Sequence, residues 1–210
     1  VDAGIVVGAA VGEAAPVPLR RSMSTAPATA SVPLDLVLTT PEATSVALGD
    51  LLTHRLTVVQ LVRYFGCLPC QEWLLELDAS APGLADDGVG AIAVGGSADY
   101  QAIWLRDERG AALPLLLDPE HRLRDHVGAT APLGWRMADP RGAAAYARSL
   151  AKGLRPQRVT RDSVRSPGVV VLDRAGRVRW QHIGTRIGDY PPLDEVRAAV
   201  AALLPDTDAH

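Results

Sequence analysis

The sequence predicts an α/β fold with a central mixed β-sheet flanked by helices. Two apolar, β-branched runs carry that prediction. "LTVVQLVRYF" (56–65) and "VGAIAVGG" (89–96) have no polar alternation, as expected of strands covered on both faces. Segments of helical periodicity alternate with them, which is the signature of an α/β sheet. The third observation is "SPGVVVLDRAGRVRWQHIG" (166–184), which reads as a hairpin turning at Arg174, Ala175 and Gly176. An antiparallel hairpin beside parallel strands makes the sheet mixed.

The elements follow in order. Residues Val1 to Val32 are rich in Ala, Pro, Ser, Thr and Gly and read as a disordered arm. The domain spans 33–205, and 206–210 form a tail. "LDLVLTT" alternates as a strand, and "PEATSVALGDLL" gives a turn, a short strand and a helical turn. After the first buried run, "CLPCQEWLLELDAS" places Trp73, Leu74 and Leu77 on one helical face. "SADYQAIWLRDERG" is a helix with Ser97 as the expected N-cap and Gly110 as the terminating glycine. "LPLLLD" is a short strand. "PEHRLRDHVG" is a helix ending in glycine, and an Ala-rich helix follows the loop that starts at Ala129. "PPLDEVRAAVAALL" is a terminal helix with proline near its start.

The chain has 210 residues, 48% of them hydrophobic, enough for one domain with a real core. A net charge of -3 argues against nucleic acid or an anionic membrane as partner. No apolar run reaches membrane-spanning length. "VDAGIVVGAAVGEAAP" has Asp2 where a basic leader segment would begin, so no secretory signal is expected and a cytoplasmic location is. "VGG" (94–96) lacks a phosphate-binding pattern. The four tryptophans, Trp73, Trp104, Trp135 and Trp180, read as core or pocket wall.

The chemistry is concentrated in "RYFGCLPC". Cys67 and Cys70 are the only cysteines, and two cannot build a disulfide framework. Cys67 follows a buried strand and opens a helix. Free N–H groups and the positive end of the helix dipole favour a thiolate there. Gly66 allows a sharp turn, and Pro69 falls in the first helical turn, where its missing N–H costs little. Cys70, one turn on, is within reach of a disulfide with Cys67. The first sulfur is expected to be the more exposed, so Cys67 attacks and Cys70 resolves. A zinc half-site and a pair of inert core thiols are the other readings. The metal reading would have to recruit from His54, His121, His126, His182 and His210, without a second CxxC or an HxxxH.

The same residues carry a resemblance. "RYFGCLPC" after an apolar strand is similar to the thioredoxin-like superfamily. More narrowly, the chain resembles peroxiredoxin-like proteins of the alkyl hydroperoxide reductase and thiol-specific antioxidant group, including its prostamide-synthase-like branch. The likeness runs from about Val32 to Leu204. It rests on "LVLTTPEATSVALGDLL", "VVQLVRYFGCLPCQEWLLEL", "LPLLLDPEHRLRDHVG" and "SPGVVVLDRAGRVRWQHIGTRIGDYPPLDEV".

It implies a thioredoxin-like sheet with an added N-terminal hairpin and an inserted helix. It implies a thiol peroxidase that forms a sulfenic acid on Cys67 and a Cys67–Cys70 disulfide, with no metal or organic cofactor. Thioredoxin or a low-molecular-weight thiol would be the reductant, and a peroxide or small organic molecule the substrate. Thiol–disulfide exchange and a non-catalytic accessory role are the alternatives, and a homodimer stays open.

Two positions depart from the family pattern. Gln60 replaces the proline, and Tyr64 the threonine or serine, that precede the peroxidatic cysteine. The family's arginine corresponds to Arg63 or Arg165. The resemblance puts Tyr64, Phe65, Gly66, Pro69, Trp73 and Pro167 around the substrate. Pro167 stands at the family's cis-proline position, a trans turn proline being the general expectation. "GDYPP" (188–192) reads as a helix-start turn that also resembles a family loop.

Overall fold

The computed structural model describes residues 30–204. Most of the expected N-terminal arm and the tail 206–210 lie outside the described residues. Seven strands form one sheet: β1 (Val37–Thr39), β2 (Ser45–Ala47), β3 (Leu56–Leu61), β4 (Val89–Gly95), β5 (Leu115–Leu117), β6 (Gly168–Asp173) and β7 (Val178–Ile183). Their order across the sheet is β2-β1-β5-β4-β3-β6-β7. β3, β4 and β5 are parallel, and the β1–β2 and β6–β7 hairpins join antiparallel. The sheet is therefore mixed, as the apolar runs and the late hairpin imply.

All six residues of β3 and all six of β6 are buried. Alternation splits β3 between two cores. Leu56 and Val58 face α2 (Leu68–Asp86), α3 (Asp99–Arg109) and α6 (Leu193–Leu203), meeting Leu74, Leu77, Leu105 and Val196. Val59 and Leu61 face α1 (Leu48–Leu51) and α4 (Arg122–His126), meeting Leu48 and Leu123. Each such side chain taken from water contributes about 1.5–3 kcal/mol. α5 (Pro140–Ala151) packs outside α2.

Several expectations are corrected. Ala30 to Val32 are not part of a free arm. Val32 is buried, its N–H donates to the Gly176 carbonyl, and Ser31 bridges Arg177, so the β6–β7 turn offers these residues a strand to join. Ser97 does not cap α3. The cap position is Ala98 in the left-handed region at φ 85°, because the Ser97 side chain is committed to Asp162. Gly110 does end α3, at φ 71°. α2 runs on through Pro82 to Asp86. Trp135 is neither core nor pocket wall. It is 83% exposed in a 3-10 turn (Gly134–Ala138) with no buried residue, because the preceding Leu133 takes the inward place.

Candidate active site

β3 delivers its carboxyl end to the site. Val62 extends the ladder, its N–H donating to the Val94 carbonyl at 3.0 Å. The chain then turns through Arg63–Gly66, and Cys67 becomes the N-cap residue of α2. Pro69 occupies the first helical turn, and Cys70 follows it. The register Leu61↔Gly168 brings the start of β6, and Pro167 before it, to the same end of the sheet.

Gly66 is needed for a reason other than the expected turn. Its φ is not in the left-handed region. A Cβ there would stand 2.8 Å from Gln101 Nε2 and 2.8 Å from Gln157 Cβ. The Gly66 N–H donates to Gln101 Oε1 at 3.0 Å, so the backbone has to come this close.

Both cysteines are free thiols, and both are 0% exposed. The expected difference in exposure is absent, because Tyr146 on α5 and the segment 157–165 pack over the start of α2. The asymmetry is electrostatic. Arg63, itself 2% exposed, donates from Nη1 to Cys67 Sγ at 3.5 Å and from Nη2 to the Ser163 carbonyl. Burial pushes the Cys67 thiol up. Hydrogen bonds from the Cys70 thiol, its backbone N–H and the Tyr146 hydroxyl, with the Arg63 charge, outweigh burial and bring Cys67 down to about 6. Cys70 goes the other way: burial, and its place as the donor beside Cys67, raise it well above an ordinary thiol.

Phenols surround the pair. Tyr64 and Tyr146 hydroxyls meet at 3.2 Å. The Tyr190 hydroxyl donates to the Leu61 carbonyl at 3.2 Å and stands beside Cys70. Burial raises all three phenols, so they stay protonated while Cys67 ionises. Gln60 Nε2 donates to the Cys70 carbonyl at 3.1 Å, tying β3 to the first turn of α2. Trp73 stacks on Tyr190 with ring centroids 5.2 Å apart, and its indole N–H donates to the Pro191 carbonyl at 2.8 Å. Pro69, Trp73 and Tyr190 line a cleft of about 300 Å³ at the first turns of α2, together with Glu72, Arg148 and Lys152.

The fold is thioredoxin-like and peroxiredoxin-like. A cysteine mutant of peroxiredoxin Q from Xanthomonas campestris superposes with a TM-score of 0.58 at 16% identity, covering 85% of this chain and 99% of that one. Peroxidoxin BcpB from Mycobacterium tuberculosis gives 0.56 at 14% identity, covering 89% and 97%. A peroxiredoxin-like protein from Aquifex aeolicus gives 0.57 at 14% identity, covering 80% and 82%. At these identities the likeness concerns the fold. No family model matches the sequence, and neither does any curated protein.

Within this fold, Cys67, Cys70, Arg63, Tyr64, Pro69 and Trp73 come together. Arg165 does not join them. It is half-buried and lies close enough to Arg124 to repel its charge. Pro167 is buried, and no cis peptide occurs among the described residues, so its bond is trans. Phe65 is 1% exposed and packs on Gly95, where a Cβ would fall 2.6 Å from its ring. "GDYPP" serves both readings, since Pro192 starts α6 while Tyr190 and Pro191 hold Trp73. Sequence reasoning missed Tyr146, Ser163, Gln101 and the Cys70 contact of Tyr190. Tyr146 left one signal, a lone aromatic in the Ala-rich "AAAYARSLA". Among the described residues, no group of three or more His, Cys, Asp or Glu is placed for a metal ion, and no helix is long and apolar enough to cross a membrane.

Proposed function

We propose that this protein is a thiol-dependent oxidoreductase whose preferred oxidant is a peroxide. The observation that carries the reading is Arg63 held against Cys67 Sγ while Cys70 remains a protonated thiol one helical turn away. The Cys67 thiolate attacks one peroxide oxygen. An S–O bond forms, the O–O bond breaks, and the leaving alkoxide or hydroxide takes a proton. Tyr146, whose hydroxyl lies 3.2 Å from that of Tyr64 and helps to lower the Cys67 thiol, supplies the hydroxyl that Tyr64 cannot offer in the manner of a threonine. The Cys70 thiol then condenses with the sulfenic acid, releasing water and leaving a Cys67–Cys70 disulfide. A dithiol such as thioredoxin, or two low-molecular-weight thiols, returns both cysteines to thiols and is itself oxidised.

A second reading, thiol–disulfide exchange, is favoured by two free thiols in C-x-x-C spacing, Cys67 at the N-cap of α2 and Cys70 in its first turn. The reduced protein is to be mixed with a panel of peroxides and disulfides and Cys67 analysed by mass. In the Cys70→Ser variant, peroxide should add one oxygen to Cys67. A mixed disulfide from every disulfide tested, with no oxygen adduct from any peroxide, would replace peroxide reduction with exchange.

A further inference from the structure

Asp162 lies deep in the molecule at 1% exposure and does not touch sulfur. Its Oδ2 accepts from the Ser97 N–H at 3.0 Å, the Ser97 hydroxyl at 2.9 Å and the Thr160 hydroxyl at 3.4 Å. Its Oδ1 lies 3.0 Å from His121 Nε2, with the exposed Arg161 Nε at 4.0 Å. Ser97 follows β4 and His121 follows β5, so one carboxylate ties together the carboxyl ends of neighbouring strands.

The next residue matters most. Asp162 is the second residue of a short 3-10 turn (Arg161–Val164) in which the Ser163 N–H donates to the Thr160 carbonyl and the Arg165 N–H to the Asp162 carbonyl. The Asp162–Ser163 peptide is thereby fixed, and the Ser163 carbonyl, one peptide further along the same turn, accepts from Arg63 Nη2. That carbonyl is the oxygen acceptor of Arg63 among the described residues, while Arg63 Nε has no partner. The other end of the guanidinium reaches Cys67 Sγ. A buried carboxylate, the 3-10 turn that carries it, a guanidinium and a sulfur thus stand in series.

We infer that Asp162 is a positioning residue for the Cys67 nucleophile: it fixes the Ser163 carbonyl, and that carbonyl aims Arg63 at the sulfur. The inference rests on Cys67 being the nucleophile. The sign of one effect separates positioning from a field effect. Removing a nearby anion would stabilise a thiolate and lower its titration midpoint, whereas losing the aim of Arg63 raises it. The other ionisable groups around Cys67 are Cys70, Tyr64, Tyr146 and Tyr190; around Asp162 they are His121 and Arg161.

The experiment follows thiolate ultraviolet absorbance against pH in the full chain carrying Cys70→Ser. Asp162→Asn keeps the shape of the side chain and removes its charge. It should raise the Cys67 midpoint by about one unit, roughly tenfold less thiolate on the acid side of the curve. Gly96→Ala keeps every polar group but puts a Cβ 2.5 Å from Asp162 Cγ, so it should shift the midpoint the same way by less. It carries the test if Asp162→Asn folds poorly. With Arg63→Met added, neither variant should shift the curve further. If Arg63→Met raises the midpoint while Asp162→Asn and Gly96→Ala leave or lower it, the positioning role is overturned and the nucleophile reading stands. If Arg63→Met also leaves the midpoint unmoved, the thiolate reading fails and the inference falls with it.

Discussion

Arg63 and Arg124 stand at the same end of the sheet, at 2% and 3% exposure, and differ in what they hold. Arg124 donates to the Ser166 carbonyl at 2.7 Å and to the Val62 carbonyl at 2.6 Å. Both acceptors are neutral, and burial brings its pKa down to about 10. Arg63 has one carbonyl and one sulfur. Burial lowers it too, but its electrostatic attraction to the cysteine pair, Cys67 foremost, outweighs burial, and its pKa is raised. A buried cation facing two carbonyls is a clamp that joins the loop after β3 to the loop before β6. A buried cation facing a thiol lacks its counter-charge until that thiol ionises. The contrast marks which of the two belongs to the chemistry.

The most severe way to break the contrast is Cys67→Ser, which turns Arg63 into a second Arg124. Thiol-dependent turnover should be lost entirely, while Cys70→Ser should retain attack and accumulate oxidised Cys67, read by mass after one peroxide pulse. Equal residual turnover in the two variants would contradict the division of roles. Arg63→Met should raise the Cys67 midpoint from about 6 by about two units, roughly tenfold less thiolate at neutral pH. Arg165→Met should leave it in place.

Arg124→Met sharpens the comparison from the other side. It strands two buried carbonyls and should cost roughly 2–4 kcal/mol in denaturant unfolding, with the Cys67 curve little changed. Tyr146→Phe removes one hydroxyl and should slow the peroxide reaction by about fivefold, the worth of one hydrogen bond of about 1 kcal/mol.

The same contrast reaches stability through linkage. Cys67 has a lowered pKa in the folded state, so its ionisation adds stability that is complete above the ordinary thiol value of 9.0 and is lost as pH falls through about 6. Between those limits the melting temperature of the reduced protein should rise with pH relative to Cys67→Ser. A flat difference would place the Cys67 pKa at its unfolded value.

The parts of this structure visible in the sequence are those written in contiguous residues. β3 and β4 are apolar on both faces because both faces are covered. The turn at Gly176 needs φ 75°, which a glycine supplies. Cys67, Arg63 and Tyr64 were legible because strand, turn and helix start lie within one short stretch. What was illegible lies across the chain. The Asp162–Ser97 contact spans 65 residues and Arg63–Ser163 spans 100. Neither leaves a periodic or spaced pattern. The cover over the cysteines comes from α5 and the segment that follows it, which is why position on α2 misjudged their exposure.

That cover has a kinetic consequence. A sulfur that solvent does not touch can meet an oxidant only when the protein opens locally, a fluctuation with its own rate and free energy. At low oxidant concentration the observed rate is the opening equilibrium multiplied by the chemical step, and it grows with concentration. At high concentration every opening ends in reaction, and the rate levels off at the opening rate itself. The plateau then carries no information about the oxidant: small and bulky peroxides should share one ceiling while differing in the slope that leads to it.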